Sequence, residues 1–161
     1  MVNATVSDMR CEGESAIRLL SESVGERAAM HPVNFTVMSL LLGKAMGFSA
    51  ADLVDLGLVA FLHDMGKLKL PQRVRSYEEG FSGEDLKQYQ EHVAIGVAIG
   101  NRMGLPEGAM MAIAQHHELI DGSGFPSRLL ADDLTPSARI LALVNRYDNL
   151  CNPQRLATAL T

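Results

Sequence analysis

Basic residues, cysteines and long apolar runs are all scarce in this sequence, and each shortage excludes a class of protein. Lys and Arg number 14 against 19 Asp and Glu, which gives a formal net charge of −5. A nucleic-acid backbone is bound by clustered positive charge, so we expect no nucleic-acid polymer as a partner. Two cysteines, Cys11 and Cys151, are too few for a disulfide framework and form no CxxC pair of a zinc site.

The apolar stretches are interrupted well before the roughly 20 residues that a membrane-spanning helix requires. The opening segment, MVNATVSDMRCEGES, also lacks the basic start and apolar run of a signal peptide. We therefore expect no membrane span and a reducing, cytoplasmic location. With 161 residues, of which 47% are hydrophobic, the chain can form one ordinary domain with its own core.

What the sequence does contain is a series of helix signals, with few signals for strands. A first amphipathic stretch covers residues 14–30 and has apolar residues at helical spacing. Proline at a first turn, or a Ser or Thr cap, marks each later helix start. These starts are Pro32, Ser49, Ser82, Pro106 and Thr135. We expect the third helix to run to about Met65 and the fifth to Glu118. About six helices with short connections predict an all-α protein, a compact helical bundle.

Histidines lie near the starts, ends or middles of these helices. They are His31, His63, His92, His116 and His117. Asp64 directly follows the second of them, at the end of the apolar run LGLVAFL. A buried carboxylate is normally paired or bound to a metal ion. Adjacent residues on a helix point about 100° apart, but near a helix end such a polar pair can present ligands to two neighbouring ions.

A plainer interpretation exists for each of these residues taken alone. A single histidine on an apolar face is more often a buried or rim residue than a ligand. His116 and His117 at a helix C-terminus can complement the helix dipole, and Asp64 can form a salt bridge with Lys67 three residues later. We favour a metal site because the plain interpretations leave the coincidence of all the histidines unexplained.

Several segments occur in an order that resembles a known family. They are His31, HDMGKLKLP from His63, His92, HHELIDGSGFP from His116, and ARILALVNRYDNL from Ala138. This order is similar to that of the HD superfamily of metal-dependent phosphohydrolases. Within it, the order resembles the HD-GYP branch, the bacterial cyclic di-GMP phosphodiesterases. The resemblance covers roughly residues 25–150.

The resemblance also gives the expected domain organisation. Residues 1–24 carry no part of it and are expected to form an N-terminal helical extension. Residues 25–161 are expected to form the HD-GYP-like domain, with a C-terminal end that looks truncated. Domains of this family are commonly fused to sensors, so we expect regulatory input from sequence outside this chain.

Two divalent ions are implied by the resemblance. His31, His63 and Asp64 correspond to ligands of one ion, with Asp64 bridging to the other. The ligands implied for the second ion are His92, His116 and His117. The last family ligand of the first ion falls at Asn145. Iron or manganese is the usual metal of the family, and zinc or nickel also suits imidazole and carboxylate ligands.

A reaction is implied as well. Two cations lower the pKa of a bridging water, and the resulting hydroxide attacks a phosphodiester. Asp64 is then a catalytic bridging ligand, and Lys67 neutralises charge on the phosphate oxygens. The alternative for Lys67 is a lysine that only complements the helix dipole. Arg139, on the last helix, is a weaker candidate for a phosphate contact, since such an arginine is more often solvated or salt-bridged.

The loop DGSGFP, which begins at Asp121, is expected to bind the substrate. Gly122 and Gly124 permit positive φ, and Pro126 stiffens the exit. Phe125 can stack on a base, or it can be the anchoring aromatic of an ordinary turn. The family usually has Tyr at this position, so the ring is kept here and the hydroxyl is lost.

The sequence departs from the family pattern at three further positions. Asn145 stands where the family has Asp, and a neutral amide oxygen is a weaker ligand for a divalent cation. Either the first ion is then bound less tightly or Asp148 turns inward from the next helical step. Arg27 replaces a Glu that supports a third ion in some members. Leu119 replaces a basic residue and so removes a phosphate contact.

Two functions are compatible with this pattern. The first is a phosphodiesterase that hydrolyses a cyclic dinucleotide, above all cyclic di-GMP, at a dinuclear metal site. The alternative is a degenerate HD-GYP-like module. Such a module binds metal or nucleotide and signals through a protein partner, for example a diguanylate cyclase.

Overall fold

A computed structural model describes residues 24–75 and 81–151 of the chain. These ranges contain five α-helices and three short 3₁₀ turns. The helices are α1 (Val24–Ala45), α2 (Ala50–Leu62), α3 (Gly83–Met103), α4 (Glu107–Gln115) and α5 (Pro136–Cys151). The 3₁₀ turns are Met65–Lys69, Gln72–Val74 and Ala131–Asp133. An isolated antiparallel bridge joins Asp121 and Leu130, and no longer strand occurs in the described ranges, so the predicted all-α class is confirmed.

The described helices were also compared with the requirements of the bilayer. In the two described ranges, no helix is both long enough and apolar enough to cross a membrane.

The predicted helix start at Pro32 is wrong. Helix α1 begins at Val24 and continues through Pro32. A proline inside a helix removes one backbone hydrogen bond and costs about 3 kcal/mol. Burying Phe35 and Leu40 on the next turns offsets that cost, since each such side chain contributes about 1.5–3 kcal/mol. The N-terminal extension and most of the first predicted helix, residues 1–23, lie outside the described residues.

The predicted helix caps are confirmed. The backbone N–H of Asp52 donates to Ser49 Oγ at 3.2 Å, and the N–H of Ser49 donates back to Asp52 Oδ2 at 3.1 Å. Ser82 and Thr135 accept in the same way from the N–H three residues later, at 3.1 and 3.2 Å. Each cap satisfies a backbone donor that the first helical turn leaves without an intrahelical partner.

Two helices end earlier than the sequence predicted, and both early ends change where a polar pair lies. Helix α2 stops at Leu62 instead of about Met65, and α4 stops at Gln115 instead of Glu118. The polar pairs His63–Asp64 and His116–His117 therefore lie just beyond their helices. Outside a helix, neighbouring side chains are no longer held about 100° apart, so both members of a pair can face one site.

By its internal contacts the chain divides into two compact units. Of the described residues, 24–61 and 143–151 belong to one unit, and those between 62 and 142 belong to the other. In the first unit, Leu40 and Leu53 are buried and Phe48 packs against them.

In the second unit, glycines allow close approach to α3. A Cβ at Gly66, in the first 3₁₀ turn, would collide with the backbone carbonyl of His92. A Cβ at Gly96 of α3 would meet Ile113 of α4 at 3.3 Å. The small residues thus let the 3₁₀ turn and α4 pack directly against α3.

The contact at Gly66 gives a first prediction. We expect Gly66→Ala to lower the free energy of unfolding by about 1–3 kcal/mol or more, because the obstructing atom is backbone and cannot rotate away. Chemical denaturation measures the change. Gly108→Ala in α4 is the matched control, since a Cβ there meets no atom within 4 Å. Equal effects of the two substitutions would contradict this description of the packing.

Candidate metal centre

Four candidate ligands converge in the unit formed by residues 62–142. They are Asp64, His92, His116 and His117, and one ligand atom of each lies within 4.8 Å of the others. Asp64 Oδ1 is 3.6 Å from His92 Nε2 and 3.7 Å from His116 Nε2. His92 Nε2 lies 3.4 Å from His116 Nε2 and 3.1 Å from His117 Nε2. The sequence predicted this set, and the structure brings its members together.

The tautomers of two histidines follow from their backbone partners. His92 Nδ1 lies 2.6 Å from the carbonyl oxygen of Tyr89, and His116 Nδ1 lies 2.6 Å from that of Ile113. A carbonyl only accepts, so both rings carry their proton on Nδ1. Each Nε2 therefore presents a lone pair to the cluster. Metal-binding histidines are usually oriented in this way.

The donor set fits a divalent cation. Within the cluster, the carboxylate of Asp64 and the Nε2 atoms of His92 and His116 are all acceptors, and only His117 can bring a proton. Acceptors held this close repel one another unless positive charge lies between them. Imidazole and carboxylate ligands suit iron, manganese, zinc and nickel.

Burial favours the neutral form of three histidines, His63, His92 and His117. It lowers the pKa of His92 to about 3, although the nearby charge of Asp64 acts in the opposite direction. It also lowers the pKa of His117 well below the usual value and lowers the pKa of His63. A metal binds the unprotonated imidazole, so these rings need not lose a proton first at neutral pH.

Comparison with known proteins shows the family of this chain. A family model described as the HD domain matches residues 14–161. The chain belongs to the HD domain family.

Curated relatives of this HD domain are phosphodiesterases by name. It is 29% identical over 135 residues to a cyclic di-GMP phosphodiesterase of Thermotoga maritima, a match that covers 82% of this chain and 36% of the relative. It is 25% identical over 118 residues to the cyclic di-GMP phosphodiesterase PdeB of Borreliella burgdorferi. This match covers 73% of this chain and 31% of the relative. It is 38% identical over 91 residues to the 3'3'-cGAMP-specific phosphodiesterase 2 of Vibrio cholerae. This match covers 55% of this chain and 17% of the relative.

A solved structure has the same fold. The HD domain matches Bd1817, a HDG"Y"P protein from Bdellovibrio bacteriovorus, with a TM-score of 0.68 and 24% identity over 93% of this chain and 46% of that one. Together, the relatives confirm the resemblance to the HD-GYP branch. The chain spans about a third or less of the length of these three curated relatives.

Lys67 lies beside the cluster of the HD domain. Its Nζ donates to Asp64 Oδ2 at 2.7 Å, which is the salt bridge that the sequence allowed. Burial lowers the pKa of Lys67, but the charge of Asp64, followed by Tyr89, outweighs burial and raises that pKa above its usual value. The side chain is therefore a cation at neutral pH, at the edge of the candidate metal site.

His31 and the part of the last helix from Leu143 onward belong to the other unit. His31 Nδ1 lies 2.6 Å from Asp148 Oδ2, and both side chains are largely buried. The amide oxygen of Asn145 accepts from the Asn149 side chain at 3.2 Å. Asp148, one of the two candidates that the sequence offered, is thus bonded to His31. A carboxylate at Nδ1 orients an imidazole so that Nε2 can act as a ligand.

The loop that begins at Asp121 differs in part from expectation. Of the two glycines that permit positive φ, Gly122 adopts it at +75°, whereas Gly124 does not. Gly124 is required for another reason, because a Cβ there would lie 2.6 Å from the carbonyl oxygen of His117. The Phe125 ring stacks on the His117 ring, with centroids 4.4 Å apart and planes inclined by 22°. This contact is that of an anchoring aromatic.

Two other residues predicted to contact the substrate, Asp121 and Arg139, form hydrogen bonds with groups of the chain itself. Asp121 accepts from the backbone N–H of Ser123 at 3.0 Å and from its hydroxyl at 2.6 Å. The Arg139 guanidinium donates to the carbonyl of Ala131. Pro126 follows Phe125 through a cis peptide bond.

Glu118 is a residue that sequence reasoning missed. It is fully buried, and its carboxylate accepts from three successive backbone N–H groups. These are Ser127 at 2.6 Å, Arg128 at 3.1 Å and Leu129 at 3.0 Å. The sequence did contain a signal for it, namely an acidic residue directly after His116 and His117. Such a residue, if buried beside them, needs a hydrogen-bonding partner. Glu118 thereby ties the far side of the loop to the histidine pair.

The lowered histidine pKa values predict a pH dependence. The unfolded chain binds protons at these histidines near pH 6.5, whereas folded His92 does so only near pH 3. The unfolded state therefore holds more protons in between, so the free energy of unfolding of metal-free protein should fall as the pH drops from 7 to 5. Denaturation at each pH measures this effect. His92→Gln should give a flatter profile, and a flat profile for the unsubstituted protein would contradict the prediction.

The role of Glu118 is testable by hydrogen exchange. Glu118→Ala removes the shared acceptor of three backbone N–H groups, and a hydrogen bond to a charged group contributes about 1.5–3 kcal/mol. We expect faster exchange at the amides of Ser127, Arg128 and Leu129. Asp132→Ala, at an exposed position nearby in sequence, is the control and should leave those rates unchanged. Unchanged exchange in Glu118→Ala would show that the carboxylate does not hold the loop.

Proposed function

We propose that this HD domain is a metal-dependent phosphodiesterase that hydrolyses a cyclic dinucleotide, with cyclic di-GMP as the first candidate. One observation carries the proposal. Asp64 and three imidazoles converge next to the cation of Lys67. A divalent ion and an ammonium group together provide the positive charge that a phosphodiester requires. The names of the relatives support the substrate class, because both cyclic di-GMP and 3'3'-cGAMP are cyclic dinucleotides.

The ligands of the proposed metal site have distinct tasks. Asp64 supplies a negative charge to the site. Lys67, whose Nζ lies 2.7 Å from Asp64 Oδ2, partly neutralises that charge. The backbone carbonyls behind His92 and His116 keep both Nε2 atoms aimed at the cluster. When bound, a divalent ion supplies hydroxide at neutral pH and stabilises charge on the phosphate. Iron or manganese is the proposed metal, with zinc or nickel as alternatives.

The first of the two ions that the family pattern implies remains a prediction from the sequence. The family pattern assigns it to His31, His63 and Asp64, with Asn145 at the last position. Asp148 has the carboxylate that Asn145 lacks, and its bond to His31 supports a ligand role for that imidazole.

Lys67 is proposed to bind the non-bridging phosphate oxygens. A lysine presents three donors on a compact charge, and one of them is used by Asp64. Phe125 packs against His117, so we propose that it shields this edge of the site from water instead of stacking on a base.

A binding function is the second candidate, and Asn145 is the observation that favours it. Its amide is neutral, and its oxygen already accepts from Asn149. A domain with one ion and a bound nucleotide can still signal to a protein partner, such as a diguanylate cyclase, without turnover.

Metal analysis and product analysis separate the two candidates. We expect protein loaded with manganese or iron to hydrolyse cyclic di-GMP, as followed by chromatography. Lys67→Ala should lower kcat by about 10²–10³-fold, the cost of losing one electrostatic stabiliser of the transition state, with unchanged metal content. Asp64→Asn should lose both metal and activity.

Asn145→Asp is the sharpest variant for the first ion. If the phosphodiesterase proposal is right, this substitution should raise both the metal content per chain and the rate. A fully loaded Asn145→Asp protein that binds cyclic di-GMP without hydrolysing it would overturn the enzyme proposal and favour the binding module.

A further inference from the structure

Tyr89 is a buried aromatic residue that lies among the site residues and that no sequence pattern singled out. It lies on α3 one turn before His92 and is 4% exposed. Its ring centroid is 4.8 Å from that of His92, 6.0 Å from that of His117 and 6.2 Å from that of Phe125. Lys67 Nζ lies over the same ring, 5.2 Å from the centroid.

The contact between Lys67 and Tyr89 has a physical consequence. An ammonium within about 6 Å of an aromatic face is attracted by the ring quadrupole, and the attraction grows when water is excluded. The Lys67 side chain is only 17% exposed. Tyr89 therefore gives the ammonium a second support in addition to the carboxylate of Asp64.

The support from Tyr89 matters because Asp64, the other partner of Lys67, is also a proposed metal ligand. In the proposed function, Asp64 donates its electrons to a divalent ion, which weakens its attraction for Lys67. A lysine has a flexible four-carbon stem, so its ammonium would then move away from the site. The Tyr89 ring is fixed by burial and does not share its electrons with the ion. Its hold on Lys67 persists when the metal binds.

We propose that Tyr89 is a positioning residue for Lys67, whose ring face holds the ammonium beside Asp64, where it binds an anionic phosphate oxygen of the substrate. The inference rests on the proposed function and adds a residue to it. It concerns the placement of the cation and leaves the metal ligands unchanged.

Substitution of Tyr89 tests the proposal through kinetics. Tyr89→Leu removes the ring and should lower kcat/KM for cyclic di-GMP by about 5- to 30-fold, the range of a cation–π contact at partly to fully desolvated sites. Tyr89→Phe keeps the ring face and should restore most of the activity. Metal content should be the same in all three proteins, because the backbone carbonyl that holds His92 is retained.

Phe81 provides the matched control. Its ring packs against Tyr89 with centroids 6.2 Å apart, and it belongs to neither the metal site nor the lysine contact. Phe81→Leu removes an aromatic ring of similar size from the same cluster and should leave kcat/KM near that of the unsubstituted protein. A purely structural role for Tyr89 would instead lower metal content and thermal stability in Tyr89→Leu, and this result would overturn the proposal.

A second measurement does not depend on activity. The NMR signal of the Lys67 ammonium, assigned with Lys67→Ala, should be protected from exchange in the unsubstituted protein and in Tyr89→Phe, and lost in Tyr89→Leu. If none of the proteins hydrolyses cyclic di-GMP while this pattern holds, the proposed function fails and the positioning of Lys67 stands. If Tyr89→Leu matches the unsubstituted protein in both rate and signal, the proposal is wrong.

Discussion

Two backbone carbonyl oxygens orient the imidazoles on which the candidate metal centre depends. The carbonyls of Tyr89 and Ile113 each take the Nδ1 proton of a histidine at 2.6 Å. The opposite nitrogen of each ring is thereby left as an acceptor, and the two acceptors face each other at 3.4 Å. A folded chain holds such an arrangement at a cost unless a cation occupies it. In the proposed metal site, the orientation of both imidazoles is thus set by the main chain, one turn before each histidine.

The electrostatic cost of the site is distributed over several groups. Burial excludes charge from the imidazoles and lowers the pKa of His92 and His117. The charges that remain are opposite and adjacent, with Asp64 and Lys67 joined at 2.7 Å. Removing either partner would leave the other as an uncompensated charge in a poorly hydrated place, which is far more costly than the pair itself. The two residues are therefore best regarded as one unit, both in stability and in chemistry.

Local features of the fold could be predicted from the sequence, whereas several decisive contacts could not. The caps at Ser49, Ser82 and Thr135 depend on residues three positions apart and were predicted correctly. Pro32 was misread because a local rule was applied where buried side chains further along α1 decide the outcome.

In the candidate site, too, some features could be predicted from the sequence and others could not. Its candidate ligands could be named from the sequence because their residue types and order resemble a family. Residues that act through long-range contacts were not. Asp148 meets His31 across 117 positions, and Tyr89 meets Lys67 only through the packing of a 3₁₀ turn on α3. Pattern and spacing contain no information on which of two nearby polar residues, such as Asn145 and Asp148, will reach a distant partner.

The position of His116 and His117 directly after α4 also restricts how this region can vary in length. One extra residue in α4 would rotate the pair by about 100° and advance it by about 1.5 Å. Both rings would then leave His92 and Asp64 together, while the helix itself would remain intact. The nine residues of α4 therefore form a spacer of fixed length between the contacts of that helix with α3 and the histidine pair.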